Sequence, residues 1–318
     1  MDLTVLQGGA IARLRELPSG SVNCCITSPP YFGLRDYGVD GQIGLEASPD
    51  EFVAKIVEVF REVRRVLKDD GTCWVNLGDS YCSTAPGTQG DGLNRRGILA
   101  GVSGRRAQAS KKRRPETPSG MKPKDLIGIP WMVAFALRAD GWFLRQDIIW
   151  AKPNPMPESV TDRCTKAHEY IFMLSKSARY YFDQDAIKEP LKDASVARLI
   201  QDVESQQGSN SLKNGHSGYF DKDGNPLCGM MANKKSVWSV ATRGYKEAHF
   251  ATYPPELIKP CILAGCPVSG VVLDPFAGSG TTGKVALENG RSAILIELNP
   301  EYIKLIEKRC RVNLPLFC

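Results

Sequence analysis

Two short loops carry the residue types best suited to chemistry, and each follows a run of apolar residues. The first loop is Ser28-Pro29-Pro30-Tyr31, directly after the run 22–27. The second loop, after the run 271–273, reads Asp274-Pro275-Phe276-Ala277-Gly278-Ser279-Gly280-Thr281-Thr282-Gly283. Because ligands bind in open α/β sheets where strands end, both loops are candidates for one site.

The first loop has the groups needed to activate the exocyclic amine of a nucleobase. Such an amine is a weak nucleophile, and acceptors on its hydrogens draw the nitrogen toward tetrahedral geometry and take up developing charge. The Ser28 hydroxyl and the Ser28 or Pro29 carbonyl are such acceptors, and prolines hold them without competing N–H donors. Tyr31 adds a ring on which an extruded base can stack. Alone, the loop would equally suit a turn that closes a strand.

The second loop contains the glycine spacing of a dinucleotide-binding fingerprint at Gly278, Gly280 and Gly283. Glu297 lies at the end of the next predicted strand, where a carboxylate holds ribose hydroxyls. The Asp274 carboxylate would repel a pyrophosphate, but it suits the ammonium group of a methionine moiety. The loop therefore favours S-adenosylmethionine over a nicotinamide dinucleotide.

A phosphate-binding loop is a further interpretation of the same stretch. Gly278 is followed, after four residues, by Gly283-Lys284. Val285 stands where that motif needs a hydroxyl ligand for Mg²⁺, so a nucleoside triphosphatase is disfavoured. A glycine-rich turn without a ligand is the other alternative.

Alternating strand and helix patterns must position these loops. Strands are predicted over 3–6, 22–27, 72–77, 143–150, 169–174, 179–182, 271–273 and 293–296. Helices are predicted over 10–17, 48–67 (ended by Asp69-Asp70-Gly71), 126–139, 254–264, 280–288 and 302–309. The alternation indicates an α/β fold with a mostly parallel central sheet and helices on both faces. Residues 188–236 are polar and lose this periodicity.

Composition narrows the class of protein. The 318 residues contain no apolar run of the about 20 residues that span a bilayer, and no secretory leader is visible, so a soluble cytoplasmic protein is expected. The ten cysteines lack zinc-knuckle spacing and have only three histidines as partners. We therefore expect buried thiols in a reducing compartment and no metal.

One segment, 93–124, carries a charge of +9, so the rest of the chain carries −3 of the net charge of +6. It has ten Lys/Arg against the single acid Glu116, in a stretch rich in Gly, Ser and Pro. Such a segment is either a solvated surface or an arm that follows a phosphate backbone and releases its counterions. The residues predicted to contact DNA are Arg95, Arg96, Arg105, Arg106, Lys111, Lys112, Arg113 and Arg114.

Together the loops resemble those of the amino-methyltransferase family of DNA modification enzymes. That family carries an (Asp/Asn/Ser)-Pro-Pro-(Tyr/Phe/Trp) catalytic loop and an Asp-Pro-Phe-x-Gly-Ser-Gly-Thr cofactor loop, matched here by 28–31 and 274–281. Catalytic loop first and cofactor loop last is the order of the circularly permuted β group. Segments 77–81, 150–154, 168–172 and 249–254 resemble the group too. One departure is Gly8-Gly9, where members often have Gly-Asp near the cofactor adenine.

The resemblance implies a circularly permuted, Rossmann-like S-adenosylmethionine-dependent methyltransferase fold. Its catalytic half would be 1–82, continued by 126–187, and its cofactor-binding half 237–318, with a flexible basic insertion at 83–125 and a target-recognition region at 188–236. The catalytic residues would be Ser28, Pro29, Pro30 and Tyr31. The cofactor-binding residues would be Asp274, Phe276, Ala277, Gly278, Ser279, Gly280, Thr281, Glu297 and Asn299.

The implied reaction is transfer of a methyl group to the exocyclic amine of a flipped base in double-stranded DNA. In the family, serine at the first position of the catalytic loop is associated more often with methylation of cytosine N4. Cytosine N4 is therefore the expected target, and adenine N6 is the alternative. The chain would act as a monomer or homodimer, without a membrane, alone or beside a cognate restriction endonuclease. The recognition sequence cannot be read, because base-reading side chains in an irregular segment follow no readable code.

Other activities fit the sequence less well. Methylation at cytosine C5 needs a nucleophilic cysteine, and Pro260-Cys261 lies within an apolar helical pattern, where a thiol packs. RNA and protein amide methyltransferases use a similar Pro-Pro-Tyr loop but usually place the cofactor loop first. A nicotinamide-dependent oxidoreductase and a non-catalytic DNA-binding protein are more distant alternatives, which hydride transfer or failure to bind S-adenosylmethionine would reveal.

Overall fold

A computed structural model describes residues 1–33, 38–82, 120–191, 231–242 and 253–311. The chain divides into two units, one formed by Met1–Phe182 with Ser236–Cys318 and the other by Asp183–Lys235. Both candidate loops belong to the first unit. All eight residues predicted to contact DNA, and most of the predicted target-recognition region, lie outside the described residues.

The elements of the described residues follow one another in an alternating order. They are β1 (Leu3–Gln7), α1 (Ala10–Glu16), β2 (Val22–Thr27), α2 (Pro49–Val66), β3 (Leu67–Leu77), α3 (Ile129–Ala139), β4 (Phe143–Ala151), β5 (His168–Ser175), β6 (Glu189–Pro190), β7 (Met231–Ala232), β8 (Val237–Ser239), α4 (Pro255–Gly265), β9 (Val271–Asp274), α5 (Thr281–Glu288), β10 (Ser292–Glu297) and α6 (Pro300–Arg311). In the second unit, β6 and β7 pair antiparallel. Among the described helices, none is long and apolar enough to cross a membrane.

One sheet of the first unit has the strand order β1-β10-β9-β2-β3-β5-β4-β8. Neighbouring strands are parallel except at β5, which runs antiparallel to both β3 and β4. The predicted α/β fold with a mostly parallel central sheet is confirmed. Because β2 and β9 are direct neighbours, the two candidate loops leave the sheet side by side.

Helices pack on both faces of this sheet, since its central strands are apolar on both sides. On one face, Phe52 and Phe60 of α2 are fully buried in a core that includes Cys73 and Val75 of β3. On the other face, α4 approaches so closely that a Cβ at Gly265 would lie 2.6 Å from Thr72 Oγ1 and from Trp74 Nε1 of β3. This two-sided core holds the strand ends that carry the loops.

Helix boundaries follow local capping, and two of them show the main differences from the sequence prediction. Ser48 caps α2 by accepting a hydrogen bond from the Glu51 N–H at 3.2 Å, as expected, but the helix passes directly into β3 at Leu67. The predicted helix terminator at 69–71 therefore lies inside a strand. Helix α3 begins at Ile129 instead of residue 126, because Gly128 adopts a left-handed φ of +86°.

The strand predicted over 179–182 is wrong. Residues 179–182 form no strand in the structure, although the Tyr181 N–H donates to the Asp70 carbonyl at 2.8 Å. A single hydrogen bond holds residues 179–182 against the start of β3, but a β-strand needs a repeated series of such bonds.

Candidate functional site

The two loops line one cavity of about 810 Å³. The predicted catalytic loop, 28–31, forms part of its wall, together with Phe276 to Ser279 and Thr281 of the predicted cofactor loop and with Glu297 and Asn299. The volume is in the range of cofactor and small-molecule sites. Gly8 and Gly9 also line the cavity, although neither was predicted as a site residue.

The Asp274 carboxylate joins the two loops from behind the cavity wall, where it is 1% exposed. Its Oδ1 accepts hydrogen bonds from the Thr27 hydroxyl at 2.7 Å and from the Phe276 N–H at 3.1 Å. Its Oδ2 accepts from the Tyr253 hydroxyl at 3.0 Å and from the Thr282 hydroxyl. Because Thr27 is the last residue before the catalytic loop, this one carboxylate fixes the spacing of the two loops.

Burial raises the pKa of Asp274, and its four donors oppose that rise. Burial likewise raises the pKa of the Tyr253 phenol well above its ordinary value, so this hydroxyl stays protonated and able to donate. The Tyr253 and Thr282 hydroxyls also lie in contact with each other. The sequence indicated Asp274 as a cofactor contact, whereas the structure gives its carboxylate four protein donors.

Glu297 presents a carboxylate to the cavity at the end of β10. Its Oε2 accepts from the Gly278 N–H and its Oε1 from the Asn299 N–H, both at 2.8 Å. Burial raises the pKa of Glu297, and these backbone donors oppose the rise. Gly278 has a left-handed φ of +52°, and a Cβ there would meet no atom within 4 Å. A ligand can therefore approach the backbone at Gly278 closely, beside a fixed carboxylate.

Arg309 of α6 holds the middle of the cofactor loop. Its Nη1 donates to Ser279 Oγ at 2.7 Å and to Thr281 Oγ1 at 2.9 Å. Gly280, between them, has a φ of +80°, and a Cβ there would lie 3.0 Å from Ile306. Ser279, Gly280 and Thr281 therefore shape the loop, and their predicted contacts with a cofactor stay predictions.

In the catalytic loop, Tyr31 is fixed at its ring and at its hydroxyl. Its ring packs on Gly78, where a Cβ would lie 2.6 Å from Tyr31 Cε2. Its hydroxyl donates to Glu169 Oε2 at 2.7 Å, and the same oxygen accepts from Asn76 Nδ2 at 3.2 Å. Lys152 forms an ion pair with the other Glu169 oxygen. The resemblance covered the segments of Lys152 and Glu169 but assigned no role to either side chain.

Chemically, the cavity combines a fixed carboxylate and open backbone on one loop with hydrogen-bond acceptors and a ring on the other. The first set suits the hydroxyls of a nucleoside, and the second suits a planar group that carries an amine. Within the described residues, no group of His, Cys, Asp and Glu is placed to hold a metal ion.

Known proteins match nearly the whole chain. The family described as DNA methylase (N6_N4_Mtase) matches residues 22–308. The type II methyltransferase M.Cfr9I of Citrobacter freundii is 47% identical over 306 residues, which cover 96% of this chain and 87% of that protein. The type II methyltransferase M.SmaI of Serratia marcescens is 44% identical over 305 residues, which cover 96% of this chain and 89% of that protein.

Solved structures share the fold. The cytosine-N4-specific PvuII DNA methyltransferase superposes with a TM-score of 0.63 at 19% identity, covering 100% of this chain and 88% of that chain. A DNA modification methylase of Thermus thermophilus, solved with S-adenosyl-L-methionine, superposes with a TM-score of 0.58 at 21% identity. The match covers 100% of this chain and 98% of that chain.

Proposed function

The chain belongs to the N6/N4 DNA methylase family, and from that premise we propose that its target is the N4 amine of cytosine. It is a DNA methyltransferase that uses S-adenosylmethionine. The observation that carries the proposal is that the loop around Ser28 and the loop around Gly278 line the same cavity. Serine at the head of the catalytic loop favours cytosine N4, and adenine N6 is the alternative.

The residues of the cofactor loop fit S-adenosylmethionine. The Glu297 carboxylate, held by two backbone N–H groups, has lone pairs left to accept from ribose hydroxyls. Phe276 and Ile296 give the same wall an apolar surface for a purine ring. When bound, the cofactor supplies an electrophilic methyl group on a sulfonium. Gly8-Gly9 would contact the adenine through backbone alone, without the acid that many family members carry there.

On the other side of the cavity, the chain would orient the base and accept its protons. The Ser28 hydroxyl and the Pro29 carbonyl are the proposed acceptors for the two hydrogens of the amine. Tyr31, with its ring on Gly78 and its hydroxyl on Glu169, would support the flipped base. These groups supply orientation and stabilise developing positive charge on nitrogen, which is where catalysis of this step gains most.

Among the described residues that line the cavity, there is no cysteine to act as the nucleophile for methylation at C5. Cys261, the Pro-Cys candidate, is 1% exposed within α4, and its thiol points to the Leu257 carbonyl. Cys25 lies close to the catalytic loop in the sequence, but burial raises the pKa of its thiol well above the ordinary value. Neither thiol lines the cavity, which favours direct transfer to an amine.

Incubation with S-adenosylmethionine labelled in its methyl group tests the proposed substrate class. Unmethylated genomic DNA, total RNA and a protein extract are offered separately at equal mass. We expect acid-stable label in DNA alone. Label in RNA or protein, or none in any of the three, would contradict the proposal.

Cofactor affinity should depend on pH through Glu297. Ribose hydroxyls need the ionised carboxylate, and because its pKa is raised above the ordinary 4.5, protonation sets in at higher pH than for an exposed glutamate. Affinity for S-adenosylmethionine should therefore fall as pH is lowered toward 4.5. Calorimetric titration at several pH values measures this fall. Glu297→Gln should bind more weakly than wild type at neutral pH and lose this dependence. A parallel fall in both proteins would contradict the assignment.

The basic segment is proposed to clamp DNA phosphates. Replacing its eight predicted contact residues with Gln should weaken DNA binding and make log Kd less dependent on log salt, since each phosphate contact contributes about 0.9 to the slope. A control chain with exposed Lys55 and Lys304 replaced by Gln should keep the wild-type slope. Equal slopes for all three proteins, measured by fluorescence anisotropy, would contradict this role.

A partner restriction endonuclease is proposed as well, because M.Cfr9I and M.SmaI carry type II names. DNA modified by the chain should then resist that nuclease, and unmodified DNA should be cut. Cytoplasmic location and action as a monomer or homodimer remain predictions.

A further inference from the structure

Beside the catalytic loop, two lysines line the cavity and are held in different ways. Lys166 Nζ donates to the Asp79 carbonyl at 2.8 Å, and burial lowers the Lys166 pKa. Lys152 instead pairs with Glu169, and its ammonium nitrogen lies 4.4 Å from the centre of the Trp150 ring. Of the two lysines, Lys152 is therefore the one whose partner, Glu169, also binds Tyr31 of the catalytic loop.

Lys152 is held in place by a network that ends on Tyr31. The Lys152 and Glu169 side chains are only 17% and 15% exposed. Glu169 Oε2 takes the Tyr31 hydroxyl and the Asn76 amide, which leaves Oε1 for the lysine. A carboxylate held by two donors other than the lysine does not follow the ammonium if it moves. The position of Lys152 is therefore coupled to the ring on which the base would lie.

Stability alone gives little reason for such a pair. Removing two charges from water costs about as much as their attraction returns, and apolar residues of similar size often serve as well. An ammonium carries three N–H donors, and the Glu169 interaction uses one direction. Lys152 lies in the cavity wall, and its partner Glu169 also binds Tyr31, on which the base would lie. This position indicates that its other N–H groups serve an acceptor on the substrate.

We propose that Lys152 donates a hydrogen bond to the ring nitrogen beside the exocyclic amine of the target base, and that Glu169 is its positioning residue. The proposal rests on the proposed function, since the base must lie against Tyr31. In cytosine, that nitrogen (N3) is flanked by a second acceptor, O2, whereas in adenine N1 is flanked by a C–H group. A lysine at this place therefore favours cytosine, by satisfying two neighbouring acceptors.

The test combines a variant with a base analogue. Two duplexes carry the methylation site mapped by sequencing of modified DNA, one with cytosine at the target and one with 3-deazacytosine, in which C–H replaces N3. If adenine is the methylated base, 1-deazaadenine takes this place. Wild-type protein and Lys152→Met are compared by kcat/KM on both duplexes, after calorimetry shows that Lys152→Met binds S-adenosylmethionine as the wild type does. Lys152→Ala, which also lacks a donor, replaces it if the methionine variant does not fold.

For wild-type protein, replacing the ring nitrogen of the target base with C–H should lower kcat/KM by about tenfold or more, as for other hydrogen bonds to charged groups. Lys152→Met should be impaired by a similar factor on cytosine and lose nothing further on the analogue, because the two changes remove the same interaction. Glu169→Gln should show an intermediate response to the analogue.

Two results would overturn the role of Lys152. One is an equal loss on the analogue for wild type and variant, which a merely structural lysine would give. The other is a wild-type enzyme that does not distinguish the two duplexes. A wild-type chain that methylates no DNA would contradict the proposed function and this proposal with it, so the two failures are distinguishable.

Discussion

Replacing Ser28 with Ala is expected to lower kcat by about 10²–10³-fold while cofactor affinity stays unchanged. Ser28 lines the cavity at the head of the catalytic loop, and its hydroxyl is the proposed side-chain acceptor for an amine hydrogen. Losing it leaves the carbonyl acceptors, Tyr31 and the cofactor loop in place. The loss should therefore lie in turnover, and calorimetry with S-adenosylmethionine should give the wild-type Kd.

A matched control for this variant is Ser21→Ala. The Ser21 hydroxyl donates to the Pro18 carbonyl at 2.7 Å on the exposed side of the turn before β2, outside the cavity wall. This control should keep wild-type turnover in a single-turnover assay with labelled cofactor. Ser28→Ala that keeps more than about a tenth of the wild-type turnover would remove its hydroxyl from the mechanism.

The second large effect is expected at Asp274. Replacing it with Leu leaves the Thr27 hydroxyl and the Phe276 N–H without their acceptor, whereas Tyr253 and Thr282 can still bond to each other. Each buried donor without a partner costs about 1–3 kcal/mol, so the free energy of unfolding should fall by about 3 kcal/mol or more. Urea denaturation monitored by fluorescence measures this difference.

Asp274→Asn is the matched variant, since it keeps the shape and one oxygen. Its amide oxygen can still accept from Thr27 and Phe276, and the two other hydroxyls can turn to accept from its NH₂ group. We expect Asp274→Asn to keep most of the stability that Asp274→Leu loses. Equal stability of wild type and Asp274→Leu would show that the carboxylate does not hold the loops together.

The stability difference between wild type and Asp274→Asn should depend on pH, and the direction follows from the pKa of Asp274. Because burial raises the pKa of Asp274 in the folded protein above its ordinary 3.8, the folded state binds the proton more tightly than the unfolded state does. Its contribution to stability is thus greatest below pH 3.8 and decreases as pH rises through the folded pKa. Wild type should lose stability relative to Asp274→Asn over that window.

Much of the fold could be predicted because the local patterns agree with the tertiary structure. The strand 22–27 ends where Pro29-Pro30 cannot continue a ladder, and the glycine spacing after β9 suits a strand-to-helix turn. Helix boundaries were less accurate. Helix α3 begins three residues late because Gly128 adopts a left-handed φ, with its N–H on the distant Asp79 carboxylate at 3.0 Å.

The polar partners of the site could not be predicted from the sequence. Thr27 and Asp274 are 247 positions apart, and Tyr31 and Glu169 are 138 apart, so only the tertiary structure brings them into hydrogen-bonding distance. Arg309 lies within an amphipathic helix, where a cation normally indicates a solvated face. The predicted chemistry came from loop composition, whereas the groups that orient it come from strands and helices elsewhere.

Nucleoside analysis of methylated DNA tests the central claim most directly. Unmethylated DNA is incubated with the protein and S-adenosylmethionine, digested to nucleosides and separated by liquid chromatography with mass detection, beside standards for each methylated base. Transfer to the N4 amine of cytosine predicts N4-methylcytosine, formed about 10²–10³-fold more slowly in a parallel reaction with Ser28→Ala. N6-methyladenine would keep the amine chemistry and correct the base. 5-Methylcytosine, or no methylated nucleoside, would contradict it.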